Sequence, residues 1–422
     1  MWTKKAVMVL GMGVIVLFVG LIFRNLPLLV ISIASFAYLA ISLFANLHTK
    51  IDPERFISNE KIFENGTIKA ELLLQNKSLK SGFMEVRDKI SSNLDIKRGT
   101  NYTMLSLKPN ESTRLRYSVK APIKGVYSFG PVEMRYHDPF YLFYKELRVD
   151  FESRLTVYPQ TRDIKELRIK SKQPKIYPGD MKVKMPGPGG EFYSIREYIP
   201  GDPFKDINWK AYASTGKLLV NEHEKESVSD ITIVFDAREC SGFGMPSDNP
   251  NLYGARAAAT LTNFFLKRRD TVQLVIYSDK VQTIRKGSGD KQLFEILTAL
   301  AGAEPKGDIP LNGIVDHAIN YMPRRSPVII VSSLDEDDSL RKAISTMCVL
   351  DFDVTILSPN SLMFEQMARE ATLGETETPI SFDVLKLERD ILMGELRGYG
   401  VKVVDWKPNQ PLSQVLLEAR NY

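Results

Sequence analysis

The chain has 422 residues, 25% charged and 44% hydrophobic, with a formal net charge of +5; this is a globular composition too long for one ordinary core, so two or three domains are expected. The charge is too mild to indicate nucleic acid as a partner, and no motif for reading DNA or RNA is present. Two distant cysteines, Cys240 and Cys348, and four scattered histidines, His48, His137, His223 and His317, exclude a disulfide framework and argue against a structural metal held by Cys and His.

The N-terminus reads as a membrane hairpin over residues 1–50. No charge interrupts Ala6 to Phe23 or Leu26 to Leu47, and each stretch is long enough to cross a hydrocarbon layer of about 30 Å. Only Arg24 and Asn25 separate them, and Pro27 suits the first turn of the second helix. A cleaved signal peptide would need a small-x-small site, and the residues after Phe23 are Arg-Asn-Leu-Pro-Leu. Lys4, Lys5, Lys50 and Arg55 flank the outer ends against Arg24 at the turn, so the positive-inside rule places both termini and the bulk of the chain in the cytoplasm. Four glycosylation sequons, at Asn65, Asn76, Asn101 and Asn110, pull the other way. Strands and turns rich in Asn, Ser and Thr give the same pattern, and that explanation is preferred.

From residue 51 to 160 the period changes to two. In "TIKAELLLQN" Ile68, Ala70, Leu72 and Leu74 alternate with Thr67, Lys69, Glu71 and Leu73. Short strands between Gly and Pro breaks predict an all-β sandwich, a module that serves as a spacer or docking surface.

Residues 161–229 form a linker and a dense motif. Arg162 to Lys184 holds eight basic and three acidic residues; the stretch is expected to be a solvated linker, with attraction to anionic lipid as the alternative. "MPGPGG" (185–190) is expected to be a flexible break. "EFYSIREYIPGDPFKDINW" (191–209) then gathers carboxylates, cations and five aromatic rings. Arg196 and Lys205 are expected to pair with Glu191, Glu197, Asp202 or Asp206. Phe192, Tyr193, Tyr198 and Trp209 offer flat faces to guanidinium groups. Pro200-Gly201 is expected to centre a tight turn, with Gly201 at positive φ and Asp202 accepting backbone N–H bonds. The segment reads as a structural clasp between domains, with Trp209 a large buried ring. Catalysis by the paired carboxylates is the rival, but no sugar cleft, calcium loop or Ser-His-Asp set accompanies them. "YASTGKLL" matches a phosphate loop only at Gly216-Lys217.

From residue 230 to 422 apolar runs ("ITIVFDA", "TVQLVIYS", "PVIIVSS", "FDVTILS", "VKVVDW") alternate with helical patterns, predicting a doubly wound α/β domain with a parallel sheet. Ligands of such sheets sit beyond the carboxyl ends of the strands; Asp236, Ser278, Asp279, Ser332, Ser333 and Asp335 are placed there.

This layout resembles a von Willebrand factor A-like domain. Members with a working metal site carry Asp-x-Ser-x-Ser after the first strand, supplying oxygen ligands to Mg²⁺. Here the stretch is Asp236-Ala-Arg238-Glu-Cys240. Arg238 puts a cation where a hydroxyl belongs, "KGDIPLNG" (306–313) lacks the usual Thr, and "SSLDED" offers Ser333 and Asp335 where an Asp is usual. Asp236 is the one candidate metal ligand, of a degenerate site, and no cofactor is expected.

Across nearly the whole chain the sequence resembles the family called domain of unknown function 58. Its central pattern is matched by Glu191, Phe192, Arg196, Tyr198, Gly201, Asp202, Ile207 and Trp209, with Ile195 for Leu and Lys205 for Arg. "HDPFYLF" (137–143) resembles its Asp-Pro-Phe-Gly-Leu-Phe, with Tyr141 for Gly. The resemblance implies two membrane helices, a β-rich region and an A-like domain, and association with a MoxR-type AAA+ ATPase. The expected function is a membrane-anchored, non-enzymatic scaffold presenting the degenerate A-like domain to such a partner. The alternatives are an envelope-facing, metal-dependent binding module and a hydrolase using the central carboxylates.

Overall fold

The structure, a computed structural model, describes residues 1–422 apart from 45–50, 79–81, 165–180, 228, 319–321, 323–325, 335–337, 375–379, 409 and 422. Lys50, Asp335 and most of the basic stretch after Arg162 therefore lie outside the described residues. The chain divides into two compact units, Met1–Val157 and Tyr158–Tyr422.

The first unit opens with α1 (Lys4–Ile22) and α2 (Leu26–Phe44), both long and apolar enough to cross a membrane. Thr3 caps α1 by accepting the Ala6 N–H at 3.2 Å. Arg24, at φ +46°, reverses the chain, and Asn25 Oδ1 accepts the Leu28 N–H at 3.4 Å. The helices meet through small residues, as membrane helices do. A Cβ on Gly13 would meet Ser35 Oγ at 3.0 Å. Ser32 Oγ donates to the Gly13 carbonyl (3.1 Å) and Ser35 Oγ to that of Val9 (3.3 Å). The outer faces, with Met8, Ile15, Phe18, Ile31 and Ile41, are exposed.

Ten strands follow. They are β1 (Ile51–Ile57), β2 (Lys61–Phe63), β3 (Thr67–Asn76), β4 (Gly82–Ile90), β5 (Asp95–Gly99), β6 (Tyr102–Leu107), β7 (Ser112–Lys120), β8 (Gly125–His137), β9 (Tyr144–Val149) and β10 (Ser153–Tyr158). One sheet runs β1-β3-β7-β5 and the other β2-β10-β8-β4-β6, with β9 also on β8. Period-two alternation places Ile68, Ala70, Leu72 and Leu74 in the core beside Val86, Val119, Phe129 and Leu155.

Arg55 does not serve as a flanking surface charge, as the topology argument assumed. Its side chain is fully buried against Asp88 at 2.5 Å. Its Nη1 donates to the Phe129 carbonyl (2.7 Å), and the Tyr117 hydroxyl donates to Asp88 (2.6 Å). The pair ties β1 of one sheet to β4 of the other, and a buried charge pair of this kind fixes geometry more than it adds stability. The sequons follow local structure. Asn76 is fully buried with its amide on the Leu107 and Lys108 carbonyls, and Asn101 donates to the Asp88 carbonyl. Asn65 and Asn110 occupy left-handed turn positions.

The loop 138–143 between β8 and β9 seats against the hairpin. Asp138 is fully buried; its carboxylate accepts the N–H groups of Phe140 (3.0 Å), Leu142 (2.7 Å) and Phe143 (2.7 Å) and the Ser42 hydroxyl from α2. Leu142 and Phe143 pack with Ala6 and Leu39.

The second unit contains a two-stranded ribbon and an α/β sheet. The ribbon pairs β11 (Met181–Glu197) with β12 (Leu219–Ser227), antiparallel. The expected break at 185–190 is thus part of a strand; register shifts between Val183 and Phe192 absorb its prolines and glycines. Between the strands lies α3 (Trp209–Thr215), capped by Asn208 Oδ1 on the Ala211 N–H at 2.9 Å.

The sheet is β13 (Asp230–Asp236), β14 (Thr271–Tyr277), β15 (Val281–Gly287), β16 (Pro327–Val331), β17 (Asp353–Pro359) and β18 (Lys402–Trp406), in the order β15-β14-β13-β16-β17-β18. All pairs are parallel except the edge pair β14–β15. The helices are α4 (Pro250–Lys267), α5 (Gly289–Gly302), α6 (Leu311–Ala318), α7 (Asp338–Val349), α8 (Ser361–Leu373), α9 (Ile380–Gly398) and α10 (Leu412–Asn421). Ile231, Ile233 and Phe235 of β13 pack with α4, α5 and α10 on one face. Val234 packs with α6, α7 and α9 on the other. The sheet is therefore buried on both faces, which is why its strands read as continuous Val/Ile runs.

Candidate functional site

The strand order reverses at β13, between β14 and β16, and the crevice at the carboxyl ends there is where open parallel sheets hold ligands. Here it is filled from within. Asp236 ends β13 with its side chain wholly buried, and Arg238 two residues on is 5% exposed. Arg238 Nε donates to Asp236 Oδ1 (3.1 Å), its Nη2 to Oδ2 (3.0 Å) and its backbone N–H to Oδ1 (3.0 Å). Ser332, just past β16, donates its hydroxyl to Oδ2 at 2.6 Å. Both carboxylate oxygens are thus engaged, and a guanidinium supplies the positive charge beside them.

The cluster is preorganised by these bonds. Burial alone would lower the Arg238 pKa, but pairing with Asp236 raises it above the ordinary arginine range on balance. Its guanidinium lies over the Tyr277 ring at 5.5 Å. Burial first, then neighbouring Asp236, pushes the Tyr277 hydroxyl well above its usual range. The loop 306–309 closes the rim. Lys306 N–H donates to the Ala237 carbonyl, Glu239 N–H to that of Gly307 and Ile309 N–H to that of Ser278. Gly307, at φ +66°, lies so close to Asp279 that a Cβ would meet its Cα at 2.4 Å. Asp308, exposed on that loop, takes a longer contact from Arg238 Nη1 at 3.4 Å.

The other expected rim residues separate. Ser278 and Asp279 hydrogen-bond to each other on the surface (3.0 Å). Ser333 turns its carbonyl to Arg389, a residue the sequence reading missed. Arg389, on α9, is buried, and its Nη1 donates to Ser333 O at 2.5 Å. Its Nη2 donates to Ser358 Oγ (2.6 Å) and to Asp405 Oδ1 (2.8 Å). Asn360 donates to Asp405 Oδ2 (3.0 Å) while its own Oδ1 caps α8. Two buried arginines therefore close the carboxyl edge of the sheet. Among the described residues no group of three His, Cys, Asp or Glu side chains is arranged to hold a metal ion.

The signature stretch makes a compact network in the ribbon. Arg196 forks onto Asp202 with two bonds of 2.7 Å, and its Nε reaches Glu222 of β12 at 2.8 Å. Glu222 is a partner the motif alone did not supply. It lies almost opposite, because Arg196 pairs in register with Val220 and Ser194 with Glu222. Asp202 also accepts the Ile199 N–H at 2.9 Å across a turn in which Gly201 stands at φ +114°. The Arg196 guanidinium first, then that N–H, draws the Asp202 pKa down to about 2. The Ser194 hydroxyl and Arg196 lower that of Glu222.

Ile207 is buried and bridges to Val220. Lys205 is exposed and has no ion pair among the described residues, and nothing is described of the Glu191 and Tyr193 side chains. Tyr198 is half-buried beside Phe204 (6.4 Å between rings). Among the described residues no guanidinium stacks on the signature rings. Trp209 is not the buried ring expected. It is 60% exposed, because Asn208 starts α3 and leaves the next side chain outside. Phe192, Ile199 and Phe204 are exposed as well. Gly216, at φ +67°, is the C-cap of α3, so "STGK" is a helix end rather than a phosphate loop.

No curated protein matched the chain. Solved structures with some likeness include a FixG-related protein from Vibrio parahaemolyticus (15% identity, 25% of this chain and 95% of that one, TM-score 0.18). Others are a CARDB domain from Pyrococcus furiosus (16%, 26% and 96%, 0.20) and the trypsin-activated alpha-2-macroglobulin of Escherichia coli (15%, 37% and 9%, 0.22). At such TM-scores they carry no argument. Residues 194–358 match the family described as "Protein of unknown function DUF58", a span that holds the Arg196–Asp202–Glu222 network, the Asp236–Arg238 pair and the carboxyl ends of β13, β14 and β16. Over residues 194–358 the chain carries the region that defines the DUF58 family.

Proposed function

We propose that this protein is a membrane-anchored, non-enzymatic scaffold that presents a degenerate von Willebrand factor A-like domain to a protein partner. The observation that carries this is the Arg238 guanidinium seated on Asp236 at the strand-order reversal. A divalent cation or an anionic substrate would have to displace a buried, doubly hydrogen-bonded arginine from that crevice. The two-faced sheet and its first-strand Asp support the A-like reading, and the apolar hairpin supports membrane anchoring with the bulk of the chain cytoplasmic. The two inward-facing sequon amides, on Asn76 and Asn101, weigh against an envelope-facing, glycosylated module.

Partner binding is assigned to the signature surface, where Phe192, Ile199, Phe204 and Trp209 are more than half exposed. Side chains of this kind, each about 150–250 Å² when aromatic, make up the centres of protein interfaces. The partner proposed is a MoxR-type AAA+ ATPase. Tagged full-length protein in detergent extracts should recover such an ATPase, and a Phe204→Asp variant should lose it. Repeated recovery without one, or equal recovery by the variant, would overturn the assignment.

A further inference from the structure

We infer that the loop 138–143, together with the first residues of the chain, is a wedge built to sit in the lipid interface. The sandwich would then be seated on the bilayer rather than hung from it. The inference rests on reading α1 and α2 as a membrane hairpin. An irregular loop enters lipid only if its backbone polar groups are satisfied without water. Here they are. The Asp138 carboxylate takes the N–H groups of Phe140, Leu142 and Phe143, and its carbonyl takes that of Tyr141 (3.1 Å). The Asp138 N–H donates to the Phe143 carbonyl and the Tyr144 N–H to that of Met1. On the acceptor side, Lys5 Nζ donates to Phe140 O (3.2 Å), the Thr3 hydroxyl to Tyr141 O (3.0 Å) and the Thr3 N–H to Leu142 O (3.0 Å). The terminal amino group donates to Tyr144 O. Every N–H from Asp138 to Tyr144 has a partner, and so does every carbonyl except, among the described residues, that of Pro139.

What faces outward has the composition of a membrane interface. Trp2, Phe140 and Tyr141 are 49%, 38% and 41% exposed, beside exposed Lys4 and Lys5. The loop's one acid, Asp138, is turned inward. Aromatic rings with flanking lysines are what the headgroup zone selects. The depth also fits. The Phe140 ring meets Tyr38 at 4.9 Å, and Tyr38 lies six residues before the end of α2, about 9 Å along the axis. The 19 residues of α2 span about 28 Å, close to the hydrocarbon thickness. The ring therefore lies about 9 Å inside that end of α2, near the deeper limit of the depth of about 5–10 Å that interfacial elements reach.

Photo-crosslinking of the full chain in liposomes tests this. p-Benzoylphenylalanine replaces Phe140, Phe18 on the outer face of α1, or Phe243 of the second unit, in three separate proteins. Phe18 and Phe243 are 61% and 50% exposed. Lipid adducts are expected at 140 and 18 and none at 243. Lipid at 18 with none at 140, or crosslinks from 140 to a second protein chain, would overturn the wedge and leave the hairpin standing. Absence of lipid at 18 as well would overturn the membrane reading and the wedge with it.

Discussion

Replacing Arg238 by Met tests whether the guanidinium is the built-in counter-charge of Asp236. Both side chains are essentially out of water, at 5% and 0% exposure. Removing one member of such a pair leaves a buried, uncompensated charge, which costs about 3–5 kcal/mol. Asp236 would keep the Ser332 hydroxyl and the Arg238 backbone N–H, so the lower end, about 3 kcal/mol, is expected. For a domain of this size each kcal/mol moves the melting point by about 2–4 °C, giving a fall of roughly 6–12 °C. Asp236→Asn in the same chain removes the stranded charge and should recover most of the loss, so the double-mutant cycle shows strong coupling. Thermal unfolding of full-length protein in detergent, followed by circular dichroism, reads all four proteins. A single variant within about 2 °C of wild type, or a double variant no better than Arg238→Met alone, would refute the reasoning.

Three further outcomes follow from the same geometry. Arg238→Ser restores the Asp-x-Ser spacing, so Mg²⁺ should raise the melting point of that variant and leave wild type unchanged; equal responses would remove Arg238 from the cation position. Asp202 has a folded-state pKa drawn down to about 2, below the unfolded value of about 3.9. Its contribution is therefore complete above about pH 4 and lost as pH falls toward about 2. The melting-point gap between wild type and Asp202→Asn should accordingly close across that window, and a gap independent of pH would contradict the pairing with Arg196. Trp209→Ala should change stability by no more than about 0.5 kcal/mol, as surface substitutions do, yet weaken partner recovery; a large fall in melting point would show the ring to be packed.

What could be read from the sequence was what has a local period. Ile68 to Leu74 alternate, and the Val/Ile runs of β13, β14, β16, β17 and β18 are continuous, because each pattern is imposed by the faces a strand buries. The antiparallel edge strand β15, "VQTIRKG", was missed because its half-exposed side chains make neither pattern. The ribbon was missed because its first strand contains Pro186 and Pro188, which usually end strands. Long-range charge pairs leave no local trace. Arg55 and Asp88 are 33 positions apart and Arg389 and Asp405 are 16 apart. Glu222 comes within reach of Arg196 only through the ribbon register. The motif offered Asp202 as one of four partners for Arg196 and placed the Gly201 turn, since both are fixed within six residues. It could not show which side of α3 faces water, and so misplaced Trp209.

Arg389 has a mechanical consequence. From the middle of α9 it holds Ser333 after β16, Ser358 of β17 and Asp405 of β18 at once. Sliding α9 along its axis by one turn, about 5.4 Å, would strip all of these bonds together. The helix is pinned to three strand ends, and force applied to it passes into the sheet as a whole instead of driving a piston stroke.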